Sequence, residues 1–231
     1  MKQAQEIYEQ LWQETLPVLQ RGQPRLDPHL PDKSRDRRRG VSLAFWLSPA
    51  VLAGAMPFLD TLKREFPGQY FYGPAELHVT LLTFISTSDL WRQEIGDLAG
   101  FRVILREVLA RQQPFQVEFR GVTAAPNAVM FQGFPLDDGL EKIRADIRAA
   151  CAQHGFTGRL DRRYPNRAAH VTAMRFCRPA ADWQRLAAVV RENRRTLFGE
   201  MPVNALRLTW GDWYASAETT RVLEEYHLQN R

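Results

Sequence analysis

The sequence has little sulfur and no long apolar run. Only two of its 231 residues are cysteine, Cys151 and Cys177. They form no Cys-x-x-Cys and no disulfide framework, so they read as reduced core or near-core thiols. No apolar stretch approaches the roughly 18 residues that a membrane span needs. The start MKQAQEIYEQLWQETL is too charged for a secretory signal, and a cytoplasmic protein without membrane contact is expected. Also missing are Gly-x-Ser-x-Gly, Gly-x-x-x-x-Gly-Lys-(Ser/Thr) and Gly-x-Gly-x-x-Gly, so three common catalytic and nucleotide-binding loops leave no trace. What remains is ordinary: 45% hydrophobic and 25% charged, enough for a real core, with a net charge of +5 that fits a polyanionic partner and equally fits proteins with no such partner.

The apolar spacing divides the chain into alternating elements. Residues 3–20 read as a helix, followed by the Pro-rich and then Arg-rich connector RGQPRLDPHLPDKSRDRRRG; residues 1–39 thus form an appendage or cover. Arg35 and Arg37 to Arg39 read as a solvated basic face. Residues 40–231 read as one domain: strand 41–47, helix 49–66, strand 77–85, helix 89–112, strands 115–123 and 128–134, helix 137–154, strand 169–177, helix 180–197, strand 203–210 and a last strand near 219–228. Asp137 and Asp138 open the helix before Gly155, which closes it. The order is β-α-β-α-β twice.

An internal repeat supports that halving. Residues 72–84, YGPAELHVTLLTF, align without a gap on residues 164–176, YPNRAAHVTAMRF, matching the tyrosine, His-Val-Thr and the final phenylalanine. Ordinary residue usage gives about one chance in ten thousand that two histidines of five are each followed by Val-Thr.

In a strand alternate side chains share a face, which groups His78 and Thr80 with Leu82 and Phe84, and His170 and Thr172 with Met174 and Phe176. If the halves are related by a pseudo-twofold axis, both pairs converge on one cleft. Two imidazoles and two hydroxyls around one ligand suit displacement at a phosphodiester. One imidazole takes a proton from the attacking oxygen, the other protonates the leaving oxygen, and the threonines hold non-bridging oxygens. Histidine suits both roles because its pKa lies near neutrality. A zinc site needs three or four ligands, and neither motif brings a Cys, His or Asp at ligand spacing. Glu76 lies on the face of His78 and is placed to orient its imidazole.

At His78-Val79-Thr80-Leu81 and His170-Val171-Thr172-Ala173 the chain resembles the 2H phosphoesterase superfamily, defined by two His-x-(Ser/Thr)-x motifs and including 2′-5′ RNA ligase-like proteins and cyclic nucleotide phosphodiesterases. The resemblance implies a bilobal α/β (α+β) fold, with two duplicated, pseudo-symmetric lobes of β-sheet and outer helices around a central cleft. It implies a metal-free phosphodiesterase with no cofactor. His78 and His170 become the acid/base pair and Thr80 and Thr172 the phosphate binders. The partners implied are RNA ends or a small cyclic-phosphate nucleotide, bound by a monomer. An inactive RNA-end-binding module is the alternative, and which histidine is the base stays open.

Further residues have two readings each. Arg159, Arg162, Arg163 and Arg167, in the approach to His170, either clamp phosphate or form a solvated loop. Tyr72 and Tyr164, six residues before each histidine, either stack on bases or pack the turn. Trp210, Trp213 and Tyr214 read as core and turn aromatics, and His29, His154 and His227 as exposed or structural.

Overall fold

The structure, a computed structural model, describes residues 2–162 and 167–229. In chain order these form α1 (Lys2–Gln20), a 3-10 segment (Leu30–Arg35), β1 (Arg39–Trp46), α2 (Pro49–Glu65), β2 (Tyr70–Phe71), β3 (His78–Ser88) and the single turn α3 (Trp91–Glu94). A second 3-10 segment (Ile95–Asp97) leads into α4 (Leu98–Leu109), β4 (Phe115–Ala125), β5 (Ala128–Pro135), α5 (Gly139–Gln153) and β6 (Val171–Arg175). The chain ends with α6 (Trp183–Glu192), β7 (Leu197–Val203), β8 (Ala205–Gly211) and β9 (Arg221–His227).

Two antiparallel sheets carry the two motifs. One has the order β3-β1-β8-β9 and the other β2-β6-β5-β4-β7. The lobes are therefore not the two halves of the chain: β8 and β9 complete the sheet of the first motif, and β2 flanks the second. Both motif strands lie at or beside a sheet edge, since β3 is terminal and β6 is followed only by the two-residue β2. These are the strands that approach each other across the molecule. The helices cover the outer faces, α2 on β7, α4 on α5 and β9, and α5 on β3 and β4. None of the helices is long and apolar enough to cross a membrane, among the described residues.

Local chemistry sets the element ends. Ser48 caps α2 by accepting from the Val51 N–H at 3.3 Å, with Pro49 in the first turn. Asp182 caps α6 through the Arg185 N–H at 2.8 Å. Gly155, at φ +82, lets the chain leave α5 while the Phe156 N–H returns to the Cys151 carbonyl at 2.8 Å.

α1 packs on β4, β5 and α6, and its Trp12 and Leu19 belong to the main core. The Tyr8 hydroxyl donates to the Gly133 carbonyl and accepts from the Gly133 N–H, both at 3.1 Å, so the helix is hydrogen-bonded into the second sheet.

Three segments depart from the sequence reading. The expected helix over 89–112 is α3, a 3-10 turn containing Gly96, and α4, with the glycine at the break. The end of the expected helix 180–197 is already β7, where Phe198, Met201 and Val203 are buried and Leu197, Glu200 and Pro202 exposed. Pro202 is tolerated because β7 is an edge strand. In the connector Arg38 is not solvated: it reaches the Asp36 carboxylate at 2.6 Å and lies over the Trp213 and Tyr214 rings at 5.7 and 6.0 Å.

Candidate active site

The two motif strands bend in the same way at the same place. On β3, Thr80 pairs with Ala44 but Leu82 with Leu43, so Leu81 is the extra residue of a bulge. On β6, Thr172 pairs with Met130 but Met174 with Val129, so Ala173 is the extra residue there. A bulge reverses the alternation beyond it. Leu82, Phe84, Met174 and Phe176, expected on the histidine faces, are therefore buried in the core. Thr83 and Arg175 take their places on the cleft.

A bulge also frees a backbone carbonyl that needs a donor. The buried Arg144 Nε donates to the Leu81 carbonyl at 3.2 Å, and the Tyr72 N–H donates to the Ala173 carbonyl at 3.1 Å. Arg144 does more: its Nη2 donates to the Ala168 carbonyl at 3.0 Å and its Nη1 to Glu141 at 2.7 Å. One guanidinium thus spans from the first motif to the approach of the second. Asp161 holds the outer side of β3, accepting from the Thr83 N–H at 2.9 Å and from Arg148 at 2.8 Å.

His78, Thr80, His170 and Thr172 line a single cavity of about 100 Å³, together with Thr83 and Arg175. All four motif side chains are half-buried. The His78 Nδ1–H donates to the Glu76 backbone carbonyl at 2.6 Å, which leaves Nε2 for a ligand. The orienting group is this carbonyl and not the Glu76 carboxylate, which accepts from the N–H groups of Gly73 and Ala217 at 2.9 and 3.0 Å. The Trp46 ring lies beside the His78 ring, with centroids 5.7 Å apart.

Burial shifts both imidazoles toward the neutral form. Burial lowers the His78 pKa, the Glu76 carbonyl opposes the shift, and the Arg175 cation adds to it. Burial pushes His170 down to about 4, with His78, Arg175 and Arg144 adding to the effect. Arg175 Nε donates to the Tyr72 hydroxyl at 2.8 Å, and its guanidinium lies 5.5 Å from the Trp213 ring centre. The site therefore presents two imidazoles, several hydroxyls, those of Thr80, Thr83 and Thr172 among them, and an oriented guanidinium, a set suited to a bound phosphate.

The chain matches the model of the 2′-5′ RNA ligase superfamily over residues 50–214, a span that contains both motifs and both bulges. It belongs to that superfamily. The 2′-5′ RNA ligase superfamily is the 2H phosphoesterase group that the motifs resemble. Solved structures agree on the fold. TT0787 of Thermus thermophilus is similar with a TM-score of 0.62 and 19% identity, over 84% of this chain and 99% of that one. E. coli LigT, crystallised with 3′-AMP, is similar with a TM-score of 0.53 and 14% identity over the same shares. A structure described as a phosphoesterase gives 0.55 and 15%, again over 84% and 99%. No curated protein sequence matches the chain.

The remaining candidates separate. Tyr72 has its ring buried and its hydroxyl on Arg175, so it holds the arginine and offers no face for stacking. Arg162 pairs with Glu94 and Arg159 with Asp97, and both thereby tie their loop to the α3 region. Arg167 is exposed and borders a second groove. Tyr164 and Arg163 lie outside the described residues. Trp46, Thr83, Arg175 and Trp213 are among the cleft residues that the sequence reading misses. Arg175 is visible as the partner of Thr83 in the aligned repeat, but strict alternation points it to the other face.

Proposed function

We propose that the protein is a metal-independent phosphodiesterase acting on 2′,3′-cyclic phosphates or 2′-5′ linkages of RNA or nucleotides. The observation that carries this reading is the meeting of both His-x-Thr pairs in one phosphate-sized cleft. His170, the imidazole pushed down to about 4, is the base: it takes a proton from water, and the water oxygen bonds to phosphorus. The bond from phosphorus to one ribose oxygen breaks, and His78 delivers a proton to that oxygen from Nε2. The Glu76 carbonyl suits His78 to this role, because it stabilises the imidazolium through Nδ1–H. An arriving phosphate anion raises the pKa of His78 and charges it for the acid step. Thr80, Thr172 and Arg175 hold the non-bridging oxygens. A monomer suffices, since one chain supplies every group named. Among the described residues no three His, Cys, Asp or Glu side chains gather as a metal site. The free thiols of Cys151 and Cys177 suit a reducing, cytoplasmic setting.

The test is a panel of nucleoside 2′,3′-cyclic phosphates and 2′-5′-linked dinucleotides, incubated with purified protein in excess chelator, with products resolved by chromatography. Turnover that survives chelation supports the reading. Tight binding of RNA ends without turnover of any substrate replaces it with a binding module.

A further inference from the structure

The catalytic cleft, at about 100 Å³, has room for a phosphate and little of the nucleoside attached to it. Sites that enclose whole drug-sized ligands run to roughly 300–1,000 Å³. The rest of any substrate must lie outside. A groove of about 610 Å³ begins at the reacting groups, sharing His170, Thr172, Arg175 and Trp213 with the cleft, and reaches α1 past the β4–β5 turn.

Its chemistry is that of a site for a base and a phosphate. Ile7 and Leu11 of α1 and Met130 of β5 provide apolar surface for the face of a heterocycle. The Asn127 side chain carries both a donor and an acceptor for a base edge. Arg25 and Arg167 are exposed, and neither has an ion-pair partner among the described residues, unlike Arg102, Arg106, Arg148, Arg159, Arg162 and Arg185. No carboxylate is among the described residues lining the groove. Cations next to an apolar wall, with no acid in the lining of the groove, favour a polyanion with aromatic side groups. α1 and Arg25 lie outside the residues, 50–214, that match the superfamily model.

We propose that this groove holds the nucleotide adjoining the one that carries the reacting phosphate, with α1 as its wall, so that the protein selects an RNA strand over a mononucleotide. The inference rests on the phosphodiesterase reading of the cleft. Arg25 and Arg167 bind the linking phosphate, and Leu11 and Met130 take the adjoining base.

The experiment compares kcat/KM for a tetranucleotide ending in a 2′,3′-cyclic phosphate with that for the cyclic mononucleotide, in the full chain and in its Arg25→Glu and Leu11→Gln variants. Equilibrium binding of a fluorescent tetranucleotide 3′-phosphate, competed with the mononucleotide, is read in parallel. The wild type should prefer the tetranucleotide tenfold or more, and Arg25→Glu, at an exposed site that spares the fold, should remove most of that preference. Equal selectivity in wild type and both variants overturns the inference and leaves the phosphodiesterase reading intact. If nothing is turned over, the phosphodiesterase reading fails, and the groove is then judged by whether Arg25→Glu weakens tetranucleotide binding tenfold. A concentration-dependent dimer that Arg25→Glu dissociates, with RNA preference unchanged, assigns the groove to a second copy and also overturns the inference.

Discussion

Thr83 and Arg175 occupy the same position of the two motif strands, five residues beyond His78 and His170, and both line the cleft. The bulges at Leu81 and Ala173 bring them there. The duplicated scaffold thus places a neutral hydroxyl on one side and a cation on the other, and its symmetry of shape carries an asymmetry of charge.

Arg175→Met should lower kcat/KM for a cyclic phosphate by about 10²–10³, the usual cost of losing a donor to developing charge. Tyr72→Phe removes only the 2.8 Å hydrogen bond that orients the guanidinium. Its cost should stay within about tenfold, in line with roughly 1 kcal/mol for one hydrogen bond. Steady-state kinetics on both variants checks the order. Equal losses would contradict a direct role for Arg175.

The pH profile follows from the two depressed imidazoles. In the proposed mechanism the productive state has His170 neutral and His78 charged. Because burial lowers both, His78 loses its proton below the ordinary histidine value, while His170 holds off protonation until about 4. The bell of kcat/KM against pH should therefore peak between about 4 and the ordinary value near 6.5. A maximum above pH 7.5 would contradict this assignment.

Arg144→Met should destabilise the fold by about 2–4 kcal/mol, because it leaves the Leu81 and Ala168 carbonyls without their buried donor. Arg144→Lys should restore only part, since an ammonium cannot reproduce the rigid fork that serves both carbonyls. Urea unfolding of the three proteins measures this. A loss below about 1 kcal/mol for Arg144→Met would mean that the strap between the motifs contributes little.

Much of this is legible in the chain. His-Val-Thr is short, free of any ambiguity of spacing and repeated with its flanking tyrosine and phenylalanine, so the two motif strands can be found and paired. The helix from Pro49 begins where it is expected, and Gly155 closes the helix before it at φ +82, as read. What stays hidden is non-local or irregular. A bulge breaks the period of two without any glycine to announce it at Leu81 or Ala173, so strict alternation turns Thr83 and Arg175 to the wrong face. β7 mixes Gly199 and Pro202 into a short edge strand and lacks a strand signature. Trp213 reaches the cleft, and α1 the adjoining groove, only through tertiary packing.

The central claim is that His78 and His170 act together in one chemical step. A double-mutant cycle on the opening of a nucleoside 2′,3′-cyclic phosphate, in excess chelator, tests it most directly. His78→Ala and His170→Ala should each lower kcat by about 10²–10⁴, and the double variant should lose far less than the product of the two single losses. Losses that multiply in full, or single variants that keep wild-type turnover, would contradict a shared acid/base step.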